Sequence, residues 1–113
     1  MKSVRVEREN GEFLCNAMVA DSMKSRGIGL LGKKSLPDDQ GLWIKPCTSV
    51  HTFFMRFPID ILYLDKDNTV VKQSKMKVNR MSFGGKGAKT VLELPWASIE
   101  KHDIRVGEQL ALS

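Results

Sequence analysis

Four side chains that could do chemistry fall within fourteen residues of one another, namely Cys47, His51, Arg56 and Asp60. A cysteine becomes a strong nucleophile as its thiolate, which a nearby imidazole favours, and a carboxylate can orient that imidazole. If the strand begins early enough, alternation along it places Cys47 and His51 on one face. The spacing therefore permits an enzyme that uses Cys47, His51 and Asp60, although nothing in the sequence requires these three side chains to meet.

The same residues make a poor metal site. Zinc takes four protein ligands in structural sites and three in catalytic ones, and Cys47, His51 and one carboxylate only just reach the lower number. The segment 27–35 resembles a phosphate-binding P-loop, but Lys34 stands where the metal-binding hydroxyl is needed, and Pro37 prevents a long helix from following. We therefore expect no metal and no cofactor.

Asp60 also has a structural interpretation, because it interrupts the apolar stretch 59–64. An isolated buried carboxylate costs several kcal/mol, so it must be paired or hydrogen-bonded. Arg56 and the backbone amides freed at the Pro58 bend are the nearby donors, so we expect Asp60 to bracket that bend. The same carboxylate could form the polar floor of a ligand pocket, with Arg56 and His51 as further binding residues.

The positive charge of the chain is concentrated in one segment. The net charge is +5, yet residues 66–89 hold seven cations against the single carboxylate of Asp67. A run of charge is more often a solvated strand face, and alternation in 75–80 fits a half-buried strand. The alternative is a module that contacts anions or nucleic acid through six residues: Lys72, Lys75, Lys77, Arg80, Lys86 and Lys89. We do not favour nucleic acid, because Phe83 is the one aromatic residue of the segment.

Short apolar runs separated by turn residues are the elements that must position these side chains. Asn10-Gly11 predicts a hairpin, Ser22 or Asp21 can cap a short helix, and the segment 65–68 predicts a second hairpin. We predict strands at 3–7, 13–19, 41–44, 51–57, 59–64, 69–72 (extending toward 78), 90–94 and 110–112, helices at 22–26 and 97–102, and a glycine-rich loop at 82–87. This pattern predicts a mainly β protein, a compact sandwich-like or barrel-like single domain over 1–113 with one or two short helices.

Composition indicates the cellular compartment in which we expect the protein. No apolar run approaches the roughly 20 residues of a membrane helix, and the charged N-terminal segment lacks the apolar core of a signal peptide. We therefore expect a cytoplasmic protein without a membrane partner. In a reducing compartment structural disulfides are rare, so we expect Cys15 and Cys47 to be free thiols. We also expect a monomer.

The order of several short motifs resembles that of the "domain of unknown function 192" family. The central run, residues 46–65, contains an aromatic-Met segment followed by Pro58-Ile59-Asp60, and further matching pieces lie at 26–30, 41–44, 91–95 and 104–108. The resemblance covers residues 20–112. It departs from the family pattern where a proline is usual in the stretch 75–78 and where Trp96-Ala97 replaces a glycine. The resemblance implies a compact β sandwich-like fold and implies no activity.

The sequence thus leaves the function unknown and favours one class over two others. The favoured class is a small binding or accessory module that receives a small ligand or a peptide on a face around His51–Asp60. The alternatives are the enzyme built on Cys47, His51 and Asp60, and the basic module that contacts anions through Lys72–Lys89.

Overall fold

Nine strands and two short helices build the protein, seen here in a computed structural model that describes residues 2–113. The strands are β1 Ser3–Arg8, β2 Phe13–Ala20, β3 Gln40–Ile44, β4 Ser49–His51, β5 Ile59–Leu64, β6 Val70–Met76, β7 Met81–Phe83, β8 Thr90–Pro95 and β9 Leu110–Leu112. The helices are α1 Met23–Ile28 and α2 Ser98–His102. The mainly β class with two short helices is confirmed.

Seven of the strands form one curled sheet in the order β6-β5-β8-β3-β2-β1-β9. Neighbours run antiparallel except β2 and β3, which are parallel and are joined by the crossover that contains α1. The two edges of the sheet approach each other, because Gln109 bridges to Thr69 and the Val70 amide donates to the Glu108 carbonyl over 2.8 Å. The sheet therefore curls into a barrel-like shape.

Alternate residues of the central strands feed two separate cores. Along β5, Leu62 and Leu64 join the core enclosed by the curled sheet, whereas Ile59, Ile61 and Tyr63 join a second core on the outer face. Every residue of β5 is buried. A strand covered on both faces is apolar throughout rather than alternating, which explains why 59–64 is the most apolar stretch of the chain.

A two-stranded ribbon, β4 paired with β7, covers part of the outer core. Gly84 permits this close approach, because a Cβ there would lie 2.6 Å from the Tyr63 ring atom Cδ1. The inward residues Val50 and Ser82 of the ribbon are buried against the sheet, and the Tyr63 hydroxyl donates to Ser82 Oγ over 3.0 Å. The predicted loop 82–87 is wrong at its start, since Ser82 and Phe83 belong to β7.

The strand predicted over 51–57 is also wrong. β4 ends at His51, and Phe54 has a φ of 65°, in the left-handed region. The buried hydroxyl of Thr52 donates to the Lys77 carbonyl over 2.6 Å and accepts from the Arg80 amide over 2.9 Å, which turns the chain out of the strand. Strand alternation therefore does not extend beyond His51, and it does not reach back to Cys47, because β4 begins at Ser49.

Two further features concern the setting of the chain. Cys15 is a buried free thiol and Cys47 is a half-buried one. In residues 2–113, no helix has the length and apolar character needed to cross a membrane.

Candidate ligand-binding site

A pocket of about 360 Å³ opens between α1 with its following loop and the strand β4. Its volume lies at the small end of the range of ligand pockets. The walls combine apolar side chains with a few polar ones, among them Arg26, Leu31, Ile44, Cys47, Val50 and His51. Met23 and Ile28 also line it and are exposed at its mouth.

The wall on the side of α1 is set by local hydrogen bonds. Ser22 caps the helix, since its Oγ accepts from the Ser25 amide over 3.0 Å, and the Ser25 hydroxyl accepts from the Ser22 amide over 3.0 Å. This reciprocal pair is a capping box. Gly29 ends the helix with a φ of 49°. One short helix, capped where the sequence predicted, thus carries Arg26 to the pocket wall.

Glu93 contributes the most unusual group of the pocket lining. It lies in β8, in the middle of the sheet, where its register partners are Leu42 of β3 and Ile61 of β5. The residue is only 3% exposed. No donor among residues 2–113 hydrogen-bonds its carboxyl group, and burial alone raises the pKa of Glu93 to about 8. A neutral carboxylic acid therefore faces the pocket at neutral pH.

Asp60 lies outside this pocket, in a different setting. It is fully buried, and its carboxylate accepts from the Ile99 amide over 2.9 Å and from Lys75 Nζ over 3.0 Å. Lys75 also bonds Glu100 over 3.0 Å and lies 3.9 Å from the centre of the Trp96 ring. Asp60 is therefore paired, as expected of a buried carboxylate, but it does not bracket the Pro58 bend: its donors come from β6 and the start of α2, and not from Arg56 or the amides at the bend.

The structure brings Cys47 and His51 to one pocket without activating the thiol. Cys47 Sγ donates to the Ser49 carbonyl over 3.0 Å, and burial raises the pKa of Cys47, which favours the thiol over the thiolate. The His51 ring stacks on Phe53 with the ring centres 5.4 Å apart. Asp60 is not among the residues that line this pocket, and Arg56 is exposed on the turn before β5.

The basic residues differ in what they contact. Lys75 is engaged with Asp60 and Glu100, and Lys72 Nζ donates to the Phe83 carbonyl. The Arg80 guanidinium donates to the carbonyls of its own turn, at Val78 and Asn79. Lys77, Lys86 and Lys89 are exposed. The six candidates therefore include one side chain that serves the fold and five that border the β4–β7 ribbon or the segments next to it.

Sequence reasoning missed Glu93, although a signal for it exists. The segment 91–95 reads Val-Leu-Glu-Leu-Pro, so an acid interrupts an apolar strand there as Asp60 does in β5. The rule that a buried carboxylate needs a partner applies equally to both. What the sequence does not show is that one of the two has partners and the other opens onto a pocket. Among residues 2–113, no group of three or more His, Cys, Asp or Glu side chains could hold a metal ion.

Comparisons with known proteins identify relatives over nearly the whole chain. The family model DUF192, described as "Uncharacterized ACR, COG1430", matches residues 5–112. A UPF0127 protein of Pyrococcus furiosus is 31% identical over 104 residues, which is 88% of each chain. A UPF0127 protein of Pyrococcus abyssi is 28% identical over 97 residues, which is 81% of each chain. These matches confirm the resemblance found from the motifs.

Solved structures support the fold. A proposed transcription regulator from Sinorhizobium meliloti superposes with a TM-score of 0.84 at 18% identity, covering 97% of this chain and 92% of that one. A protein of unknown function from Novosphingobium aromaticivorans also gives a TM-score of 0.84 at 18% identity, covering 96% of this chain and 83% of that one. At this identity the similarity extends to the fold alone.

Proposed function

This chain belongs to the DUF192 family of uncharacterised proteins, and we propose that it is a binding module that holds one small molecule in the pocket between α1 and β4. The observation that carries the proposal is Glu93, a buried carboxyl group that faces the pocket with no hydrogen-bond donor from residues 2–113. Buried polar groups in folded proteins are nearly always hydrogen-bonded. A ligand in the pocket would supply the hydrogen-bond partner that the Glu93 carboxyl group lacks.

The residues that line the pocket indicate the chemical class of its ligand. The walls around Glu93 are largely apolar, so the body of the ligand is apolar and small enough for about 360 Å³. A basic nitrogen is the best partner for Glu93, because an ammonium group stabilises the ionised carboxylate that burial otherwise disfavours. We therefore propose a small, mainly apolar amine. The Arg26 guanidinium in the wall can donate hydrogen bonds to an oxygen-bearing end of the same molecule.

Binding is better supported than nucleophilic catalysis. An enzyme built on Cys47 needs a thiolate, and the pKa of Cys47 is raised by its burial. It also needs a group that orients His51, and Asp60 is bonded to Lys75 and Ile99 instead. In the binding proposal, His51 forms part of the pocket wall. The pocket, at about 360 Å³, has room for no more than a short segment of a peptide.

A thermal-shift series with n-alkylamines from butyl to octyl, at pH 7.5, tests this proposal. Matched n-alkanols serve as uncharged probes of the same apolar length. A ligand that binds the native state raises the melting temperature, so the amines should raise it more than the alkanols do. Glu93→Gln should remove the advantage of the amines and retain the effect of chain length.

Asp60→Asn is the matched control, since it changes a buried carboxylate that lies outside the pocket. Its melting temperature should be lower than that of the natural protein, but the increment produced by the amines should be unchanged. Amines that act no better than alkanols on the natural protein would refute the proposal. So would an amine effect that survives unaltered in Glu93→Gln.

A further inference from the structure

The outward surface of the β4–β7 ribbon exposes large apolar side chains. Directly opposite residues of an antiparallel pair share a face. Because Val50 and Ser82 face inward, the pairs His51–Met81 and Ser49–Phe83 face outward. Three phenylalanines and a methionine are exposed on the ribbon and on the turn that follows β4: Phe53, Phe54, Met81 and Phe83. Such a group on a small protein marks an interaction surface.

Phe54 is held in solvent at a conformational cost. It is 87% exposed and has a φ of 65°, a region that bulky residues rarely adopt. The turn is fixed from both sides, by the Met55 amide on the Thr52 carbonyl over 3.2 Å and by the Asn79 amide on the same carbonyl over 3.0 Å. Strained residues persist where the surroundings impose them, and they cluster at functional sites.

The charge around this surface has a single sign. The two segments that contain the ribbon, 40–59 and 68–92, have no aspartate or glutamate. They hold eight cations, of which Lys75 is paired with Asp60 and Glu100 and does not contribute to this surface. The other seven are Lys45, Arg56, Lys72, Lys77, Arg80, Lys86 and Lys89. Several stand beside the exposed rings. Lys72 Nζ bonds the Phe83 carbonyl, Lys86 follows Phe83 by three residues, and the Arg80 backbone pairs with Thr52, next to Phe53.

We infer that this ribbon surface binds single-stranded nucleic acid. Exposed rings offer faces on which unpaired bases stack, and the surrounding lysine and arginine side chains contact the phosphates. The sequence alone placed only Phe83 among the cations, whereas the fold adds Phe53 and Phe54 to the same region, because Thr52 pairs with Arg80 and the Phe54 amide donates to Asn79 Oδ1. A duplex is disfavoured, because its bases are already stacked on one another. The inference is independent of the proposed amine pocket.

The arrangement favours a strand of nucleic acid over an anionic membrane. Outward positions on one strand are about 7 Å apart, at 3.3–3.4 Å per residue. Met81 and Phe83 occupy two such positions, with cations at Arg80 and Lys86 on either side. A chain that alternates bases and phosphates can stack one base on the Phe83 ring and pack the next against Met81, while its phosphates contact these cations. A membrane-binding surface instead buries one continuous apolar face among lipid chains.

Fluorescence anisotropy with fluorescein-labelled dT12 and U12, from 50 to 300 mM salt, tests the inference on the full chain. Both oligonucleotides should bind saturably at 50 mM salt, and the affinity should fall steeply as salt rises. Phe54→Ala and Phe83→Ala should each weaken binding at least fivefold, with the salt dependence unchanged. Arg80→Gln and Lys86→Gln should each weaken binding and also flatten the salt dependence.

Matched controls come from elsewhere on the surface. Val106→Ala removes an exposed apolar side chain, and Lys66→Gln removes a cation of the β5–β6 hairpin, so both should bind within twofold of the natural protein. Glu93→Gln should also bind normally, which separates this inference from the amine pocket. Equal affinity for a duplex of the same length would overturn the inference, as would full affinity in both phenylalanine variants. Cosedimentation with phosphatidylcholine–phosphatidylserine vesicles, without oligonucleotide binding, would overturn it in favour of a membrane.

Discussion

Two carboxylic acids lie buried on neighbouring strands, and their surroundings differ in almost every respect. Asp60 of β5 lies in register with Leu94 of β8, and Glu93 is the residue just before Leu94, paired with Ile61. Because side chains alternate along a strand, the two acids point to opposite faces of the sheet. Asp60 has a lysine and a backbone amide as donors, whereas Glu93 has no donor from residues 2–113 and faces the pocket.

The comparison shows that burial by itself does not assign a role to a carboxyl group. Asp60 has hydrogen-bond partners, so removing it leaves Lys75 and an amide without their acceptor. Glu93 is mainly protonated at pH 7, because burial raises its pKa to about 8. The first acid holds elements of the fold together. The second destabilises the folded state as it ionises, and a destabilising residue of this kind is typical of a functional site.

The largest expected loss of stability is that of Asp60→Ala. We expect this substitution to lower the free energy of unfolding by about 3 kcal/mol, since breaking a buried ion pair leaves its partners unsatisfied. Urea unfolding at pH 7 measures the change. Glu100→Ala is the control, because it removes the exposed acid that shares Lys75 and should change stability little. A stability unchanged by Asp60→Ala would show that the bracket between β5, β6 and α2 contributes nothing.

Glu93→Gln should act in the opposite direction and should depend on pH. The pKa of Glu93 is raised in the folded state, so its contribution to stability is complete below the unfolded value near 4.5 and is lost as pH rises through about 8. The natural protein should therefore lose stability between these pH values. Glutamine does not ionise, so the variant should be more stable at pH 7.5, by up to about 4 kcal/mol for a pKa raised from 4.5 to about 8, and nearly equal near pH 4.

Urea unfolding from pH 4 to pH 9 measures that difference. The other titratable groups near Glu93 are Arg26 of α1, Cys47 and His51 beside or in β4, and Tyr63 of β5. They are common to both proteins, so subtracting the two pH profiles isolates Glu93. Profiles that run parallel over the whole range would mean that Glu93 titrates as a solvated acid, and the contrast with Asp60 would disappear.

The smallest effect concerns the reactivity of Cys47, which reports the charge of Glu93. Burial raises the pKa of Cys47, so iodoacetamide at pH 7.5 should react more slowly than with a free cysteine. Once Glu93 is ionised, its negative charge raises the pKa of Cys47 further. At pH 9, where Glu93 is ionised, Glu93→Gln should speed the reaction by a small factor. Mass spectrometry after timed alkylation follows it.

Cys47→Ser provides the control, because it leaves only Cys15, which is buried and whose pKa is raised to about 12. That variant should remain unlabelled while folded. Rapid alkylation of Cys47 at neutral pH, slowed by His51→Ala, would contradict this expectation. It would make nucleophilic catalysis the leading hypothesis for the pocket.

Local signals in the sequence determined much of the fold. Alternating or continuous apolar runs located most strands, Ser22 located the start of α1, and the turn at 65–68 joined β5 to β6. The order of the motifs was enough to identify the family. These features depend on hydrophobic period, capping and turn chemistry, all of which act between residues a few positions apart. The strand predicted over 51–57 failed because Thr52 is held by Lys77 and Arg80, which are more than 20 residues away.

The candidate site, by contrast, was decided by tertiary structure. The sequence determined that Asp60 and Glu93 each interrupt an apolar strand, and therefore that each needs a partner. Only the pairing of β6 beside β5 and the packing of α2 on one face of the sheet decided that Asp60 has partners, and only the packing of α1 and β4 on the other face decided that Glu93 opens onto a pocket. Which donors reach a carboxylate depends on sheet register and on the elements that cover each face. Those contacts join distant parts of the chain, and no local pattern encodes them.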